Sequence, residues 1–265
     1  MSFCSAFDLN SGTGPTLISV MSVTSRASVV RRPRAFVRAA GPDAEDFLQR
    51  MHSNDVAALA AGESCEALLL TAKARVIAPV RVLRRAPDDF LLSTEPELGD
   101  TVRTQLLRTR FAAKVELEPE EHESWLVLGG DEVLDERPPG EEASPEEFER
   151  WRIEAGIPRW GAEIDERILP AEAGLTETHV SFTKGCYPGQ EPIARQHYRG
   201  KLNRRLRMLE LDDGAAPDPD TEIELDGKTV GRVTSAVPGR ALAYVRVEVP
   251  DDAPLSVGGT RARLH

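Results

Sequence analysis

The sequence predicts an α+β protein built mostly on antiparallel sheets, with a small closed or half-closed β-barrel as a separate C-terminal unit. Three observations lead there. Strand-like and helix-like stretches are mixed over residues 27–204 without the steady alternation of a parallel sheet. After Arg205 the text becomes five or six short strands divided by turn residues, with nothing helical among them. A length of 265 residues is near the size at which single cores, at about 250 to 300 residues, give way to several. The expected division is a flexible leader at 1–26, an α+β region at 27–204 and the barrel at 205–265.

The leader "MSFCSAFDLNSGTGPTLISV" is rich in Ser, Gly and Thr and weakly patterned, or else Met21 is the true start. Its first 25 residues hold no Lys or Arg, so it lacks the charged start of a secretory signal. "RAFVRAAGPDAEDFLQRM" (34–51) begins as a strand, turns at Gly41-Pro42 and continues as a helix with Asp43 and Glu45 in its first turn and Phe47, Leu48 and Met51 inward. Residues 66–85 read as two strands joined by a tight basic turn at Lys73–Arg75, and 88–94 as a third. Residues 97–113 have helical spacing, with Leu98, Val102, Leu106 and Leu107 on one side, and "AKVELE" follows as a strand.

"DERPPGEEASPEE" (135–147) is an acidic, proline-rich surface connection that also starts a helix. Ser144 caps it, Pro145 takes the first helical position and Glu147 completes a capping box. Phe148, Trp151, Arg152 and Ala155 form one side of this helix, and Gly156 stops it. The barrel strands are "RLRMLEL", "TEIEL", "TVGRVTSAV", "RALAYVRVEV" and "TRARLH", with a turn at the "DGK" of 226–228.

Composition narrows the function classes. An apolar share of 40% with 29% charged residues is that of a folded protein, and no stretch approaches the roughly 18 apolar residues of a membrane span. A cytoplasmic location is expected. The three cysteines, Cys4, Cys65 and Cys186, are odd in number and far apart, which suits a reducing compartment; with no C-x-x-C and no H-x-x-x-H, a resident metal is not expected. The net charge of -11 is uneven. From Lys184 to Arg207 there are seven basic residues against the single acid Glu191. Such an island on an acidic protein reads as a site for a discrete anion, the plain alternative being solvated charges at a strand edge.

"KGCYPGQE" (184–191) sets Cys186 in a constrained turn. Gly185 and Gly189 allow positive φ or a close approach, while Pro188 fixes its own φ and limits Tyr187. Lys184, with Arg195, would favour the thiolate over the thiol. A thiolate so presented can attack, be oxidised or bind a soft metal. An isolated cysteine more often packs as a small hydrophobe, and that reading is kept for Cys4 and Cys65.

"KGCYPGQEPIARQHYRG" (184–200), "RIEAGIPRWG" (152–161) and "GPDAEDFLQ" (41–49) resemble the YgfZ family of folate-binding proteins, relatives of the glycine-cleavage T-protein, an aminomethyltransferase. "GRVTSAV" (231–237) is similar to a signature in the terminal barrel of that superfamily. The resemblance implies two interleaved antiparallel α+β subdomains and the barrel around a central folate-binding channel. It also implies tetrahydrofolate as cofactor and a role supporting assembly or repair of iron-sulfur clusters in client enzymes, some of which modify tRNA.

A reduced pterin offers an edge of N–H donors that a carboxylate can accept in pairs. Glu154 is the expected acceptor, with Glu191 in reserve, unless Glu154 merely pairs with Arg152. Tyr187, Trp160 or Phe182 would stack on the ring. Gln190 would fix the turn or read the pterin. Arg195 and Arg199 would grip the glutamate carboxylates of folate. The chief alternative is a T-protein-like aminomethyltransferase, which would need an acid such as Asp100. That protein carries an Asp after an Asn-containing strand end, whereas "LLSTEPELGD" has no Asn, and Asp100 fits the first turn of a helix. An RNA-binding surface on the basic island and barrel is a third reading, opposed by the acidic remainder of the chain; the expected partners are folate and iron-sulfur client or assembly proteins, with no direct nucleic acid and no membrane.

Overall fold

The computed structural model describes residues 27–265, so the expected leader lies outside the described residues. The chain opens with β1 (Ser28–Arg31), then runs through β2 (Ala35–Ala40), α1 (Ala44–Met51), β3 (Ser64–Leu70), β4 (Val76–Ala86), β5 (Asp89–Thr94), α2 (Gly99–Thr109) and β6 (Glu116–Glu120). Strands β2 to β6 form a five-stranded antiparallel sheet in the order β3-β4-β5-β2-β6. Only then does the chain return to β1. Strands β7 (Ser124–Val127), β8 (Glu132–Leu134) and β9 (Glu141–Glu142) complete a second sheet, ordered β8-β7-β1-β9. One sheet is thus inserted between the first and second strands of the other, and the two units are interleaved.

Alternation along β3 separates two cores. Ala67 and Leu69 face α1 and α2, packing with Phe47, Leu48, Val102 and Leu106. Leu68 and Leu70 face the other way. Both faces are covered, which explains an unbroken "ALLL" in an antiparallel strand. The covering on the second face is largely irregular chain, with Ile164, Ile168, Leu175, Val180 and Tyr187 packed on Leu68, Leu70, Ala74 and Val76.

Helix α3 (Pro145–Glu154) has the expected capping box: Glu147 N–H donates to Ser144 Oγ, and Ser144 N–H to the Glu147 carboxylate. Gly156 ends it at φ 67°. Its inner face differs from the expectation in one place. Arg152 and Ile153 are buried, whereas Ala155 is exposed, because Ile153 packs on Val237 and Leu242 of the barrel. After the short α4 (Thr176–His179) comes α5 (Gln190–Arg199), so Arg195 and Arg199 of the basic island lie on a helix and not at a strand edge.

The C-terminal strands β10 (Arg204–Leu211), β11 (Glu222–Leu225), β12 (Lys228–Val237), β13 (Arg240–Arg246), β14 (Leu255–Val257) and β15 (Thr260–Leu264) close into a barrel in the order β10-β13-β12-β11-β14-β15. Asp226 and Gly227 both take positive φ at the β11–β12 turn, as a tight hairpin requires. Strand β14 is three residues long, too short for alternation to announce it.

Candidate functional site

Cys186 is exposed, and the residues around it are anchored. Ser181 N–H donates to Ser53 O at 3.0 Å, and Ser181 Oγ accepts from the backbone N–H groups of Thr183 and Lys184. Lys184 is buried. Its ammonium donates to the carbonyls of Gln49, His52 (2.7 Å) and Asn54 (2.8 Å), the end of α1 and the chain just beyond it. These carbonyls lack helical partners, so the lysine acts as a C-terminal cap delivered from a remote part of the chain.

That geometry corrects the role expected of Lys184. All three donors are engaged on α1, and the groups that act on its charge are Asp55 and Cys65. Burial pushes its pKa down to about 8, against the pull of those two groups. Cys65 is itself held protonated, burial and Glu66 pushing its thiol up to about 11. Lys184 therefore holds the Cys186 turn and does not serve as its charge partner.

Gly189 anchors the other end. It sits at φ 85°, and a Cβ there would meet Thr71 O at 2.7 Å and Ala74 Cα at 3.1 Å. The Cys186 turn thus lies backbone against backbone on the basic β3–β4 turn, where Ala74 is itself at φ 59°. Gly185 is different: it has no positive φ, and a Cβ there would meet nothing within 4 Å. The positive φ or close approach expected of both glycines is found at Gly189 alone.

Tyr187 is buried in the second core, with the Lys184 ammonium 5.4 Å from its ring centre. Burial pushes its hydroxyl up to about 12. A ring so packed has no free face for a pterin, and Tyr187 is corrected to a core residue. Trp160 is likewise partly buried between the two cores. Phe182 has one face taken by His197, with centroids 4.1 Å apart and planes at 28°.

Gly189 caps α5, whose Ile193 is its buried anchor. Gln190 is half-buried at the first helical position, its N–H donating to Tyr187 O at 3.2 Å. Glu191 is exposed in the first turn, and Arg195 and Arg199 are exposed one turn apart. Among the described residues neither arginine has a hydrogen-bond or ion-pair partner. Local signals for this helix were present: Glu191 at its start, His197 and Arg199 in its last turn and Gly200 after it.

Glu154 stands elsewhere. At the end of α3 it is half-exposed and pairs loosely with Arg150 at 3.5 Å, not with Arg152. It borders a cavity of about 470 Å³ shared with Gly156, Met208, Arg240 and His265, on the barrel side of the molecule. The structure therefore groups Lys184, Cys186, Tyr187, Gln190, Glu191, Arg195 and Arg199 through one turn and helix, and sets Glu154 apart from them at the end of α3. Asp100 lies exposed in the first turn of α2.

Sequence reasoning missed Glu163. It is fully buried, pairs with Arg152 at 3.0 Å and accepts from Ser235 Oγ at 2.5 Å and Arg159 N–H at 3.0 Å; its backbone carbonyl accepts from Tyr244 OH at 2.7 Å. This network ties α3 and the segment after it to β12 and β13. A lone Glu in "GAEID" carries no local signal of such burial. Among the described residues no three His, Cys, Asp or Glu side chains cluster to hold a metal, and no helix is long and apolar enough to cross a membrane.

Residues 203–265 match the family described as CAF17, C-terminal beta-barrel domain. Over 87% of this chain and 80% of the relative, it is 26% identical to iron-sulfur cluster assembly factor IBA57, mitochondrial, of Mus musculus. It is 35% identical to the tRNA-modifying protein YgfZ of Serratia proteamaculans over 104 residues, 36% of this chain and 32% of that one. In fold it is similar to glycine cleavage system aminomethyltransferase T from Bartonella henselae, with a TM-score of 0.79 over 91% of this chain and 85% of that one, at 17% identity. The barrel match, these relatives and the shared fold together make the chain similar to YgfZ- and IBA57-type proteins and, in fold, to the aminomethyltransferases of glycine cleavage.

Proposed function

We propose that this protein binds tetrahydrofolate and supports the assembly or repair of iron-sulfur clusters in client enzymes, with Cys186 as its reactive thiol. The observation that carries the proposal is an exposed cysteine held in a turn pinned at both ends, by Lys184 on α1 and by Gly189 on the β3–β4 turn, beside a helix with two unpaired arginines. The relative IBA57 is named for iron-sulfur cluster assembly and YgfZ for tRNA modification, which supports the same reading.

Groups suited to the two ends of a folate are present. Glu154 has an accessible carboxylate beside a cavity and only a weak local partner, so it can accept from a pterin edge. Arg195 and Arg199 can take glutamate carboxylates as two-pronged donors. When bound, tetrahydrofolate supplies a reduced ring able to give up electrons or carry a one-carbon unit. The chain's own contribution is to hold Cys186 at the surface, where a partner protein can reach it.

The experiment is a calorimetric titration of the wild type and Cys186→Ala with tetrahydrofolate, paired with a test of whether each restores an iron-sulfur enzyme in cells lacking the endogenous protein. Binding by both proteins and restoration by the wild type alone is the expected result. Full restoration by Cys186→Ala would make the turn structural. The aminomethyltransferase alternative requires turnover dependent on Asp100, and loss of turnover in Asp100→Asn is its separate test.

A further inference from the structure

The stretch from Thr101 to Val115 is a second concentration of positive charge, with Arg103, Arg108, Arg110 and Lys114 and no acid, in a protein of net charge -11. At its tip, in the connection between α2 and β6, stands Phe111. Its side chain is 90% exposed and its backbone lies at φ 46°, a left-handed conformation that a bulky residue rarely adopts. The loop is fastened on both sides of it. Ala113 N–H donates to Arg110 O at 2.9 Å and the Arg110 guanidinium to Val115 O at 3.1 Å, while Lys114 N–H donates to the Asp43 carboxylate at 2.7 Å. A Cβ at Gly41 would meet Lys114 O at 2.3 Å, so the loop lies directly on the Gly41-Pro42 turn. The fold thus holds a phenylalanine in water on strained backbone, a combination that weakens the isolated chain.

What surrounds the ring selects its occupant. Arg103 and Arg110 are turned onto the backbone carbonyls of Leu117 and Val115. Arg108 and Lys114, by contrast, are exposed, and among the described residues their side chains have no hydrogen-bond or ion-pair partner. With exposed Ala112 they make an apolar tip with a cationic rim. An aromatic anchor inside a charged rim is the pattern of a contact between proteins, and two free cations call for carboxylates opposite them. A second copy meeting this loop with its own would set Arg108 and Lys114 against like charges. A lipid surface is poorly gripped by one ring, with acidic Glu116 exposed two residues beyond Lys114. The loop is bonded to Asp43, just before α1, whereas the Cys186 turn is bonded through Lys184 to His52 and Asn54, just past the other end of α1. An eight-residue helix, about 12 Å long, separates the two.

We propose that Phe111, with Arg108 and Lys114, is a docking anchor for the client iron-sulfur protein, received there by an apolar pocket rimmed with carboxylates, and that α1 sets the spacing between this anchor and Cys186. The partner's identity rests on the iron-sulfur reading, and the contact rests on the loop. The strain at Phe111 then serves the partner and not the fold.

The test compares the wild type with Phe111→Gly and with the double variant Arg108→Glu, Lys114→Glu in cells lacking the endogenous protein, following the iron-sulfur enzyme that the wild type restores. Glycine takes positive φ without strain and no packed ring is lost, so Phe111→Gly should melt within about 3 °C of the wild type. Both variants should bind tetrahydrofolate and react with iodoacetamide at Cys186 as the wild type does, yet restore the enzyme at least about tenfold less well. Phe111→p-benzoylphenylalanine should crosslink to that enzyme on irradiation, and less so as salt is raised. A larger fall in melting temperature for Phe111→Gly would show that the ring packs within the fold; that result, full restoration by either variant, or no crosslink to the enzyme overturns the proposal. A Phe111-dependent dimer in sedimentation, or Phe111-dependent binding to phosphatidylglycerol vesicles, would assign the loop to a second copy or to lipid and overturn it equally. If the wild type itself restores nothing, the iron-sulfur reading fails and the partner assigned here fails with it, whereas restoration by the wild type and Phe111→Gly alike overturns the docking alone.

Discussion

The ammonium of Lys184 donates to the carbonyl of His52 across 2.7 Å, joining residues 132 positions apart. With Gln49 and Asn54 it completes a cap on α1, so the Cys186 turn and the N-terminal sheet unit share one set of hydrogen bonds. Lys184→Met would leave those carbonyls without their donor, at a cost of about 1–3 kcal/mol. It should also change the alkylation rate of Cys186 while Cys65, held protonated by burial, stays slow. A urea melt and peptide-resolved thiol labelling measure both; unchanged stability would remove the capping role.

Gly189 and Gly185 should behave oppositely. At Gly189 an alanine meets both the left-handed backbone and Thr71 O, and Gly189→Ala should lose at least about 2 kcal/mol. Gly185→Ala enters open space and should stay within about 0.5 kcal/mol of the wild type. Thermal unfolding of the two variants side by side decides it, and equal losses would contradict the asymmetry.

His52 makes stability depend on pH. It is fully buried, its Nδ1 lies 3.1 Å from Leu48 O, and Nε2 has no partner among the described residues. Burial pushes its pKa down to about 4, and the nearby Lys184 charge adds to the shift. The unfolded histidine titrates near about 6.5, so between these values the unfolded chain binds a proton that the folded chain refuses. Stability contributed by neutral His52 is therefore present above about pH 6.5 and falls by about 3 kcal/mol as pH drops towards 4. His52→Gln should flatten this acid limb in urea midpoints measured across that range.

Glu163 carries the junction with the barrel. Glu163→Ala leaves Arg152, 3% exposed, with the half-buried Glu149 and the Ile157 carbonyl as its partners, and frees Ser235. Breaking a buried pair on one side costs about 3 kcal/mol, and a loss below about 1 kcal/mol in denaturant unfolding would show that α3 and the barrel dock without it.

The elements that local chemistry announces were legible. The capping box at Ser144 and Glu147, the turn at Gly41-Pro42 and the Asp226-Gly227 hairpin each depend on residues within four positions of one another. The six-stranded barrel was legible from the density of short strands, with only β14 too brief to count. The site was legible in part. The need for Gly189 could be read from its motif, but its obstacle, Thr71 O, belongs to a distant turn. Lys184 beside Cys186 in the sequence suggested a charge partner, yet neighbours along an irregular chain need not face one another. Tyr187 was offered as a stacking partner because it lies inside the motif, whereas the turn alternates between a buried lysine, an exposed thiol and a buried ring.

By itself the sequence determined the fold class, the presence of a C-terminal barrel, the start and stop of α3, the family resemblance, and the concentration of positive charge between residues 184 and 207. Those properties follow from composition, periodicity and short-range hydrogen bonding. Only the tertiary structure decided what Lys184 binds, which glycine is irreplaceable, that Glu163 is a buried junction, and that the Phe111 loop and the Cys186 turn are bonded at opposite ends of α1. Each depends on groups brought together from well-separated parts of the chain, and burial and distance, which set their charge states and partners, exist only once the chain has packed.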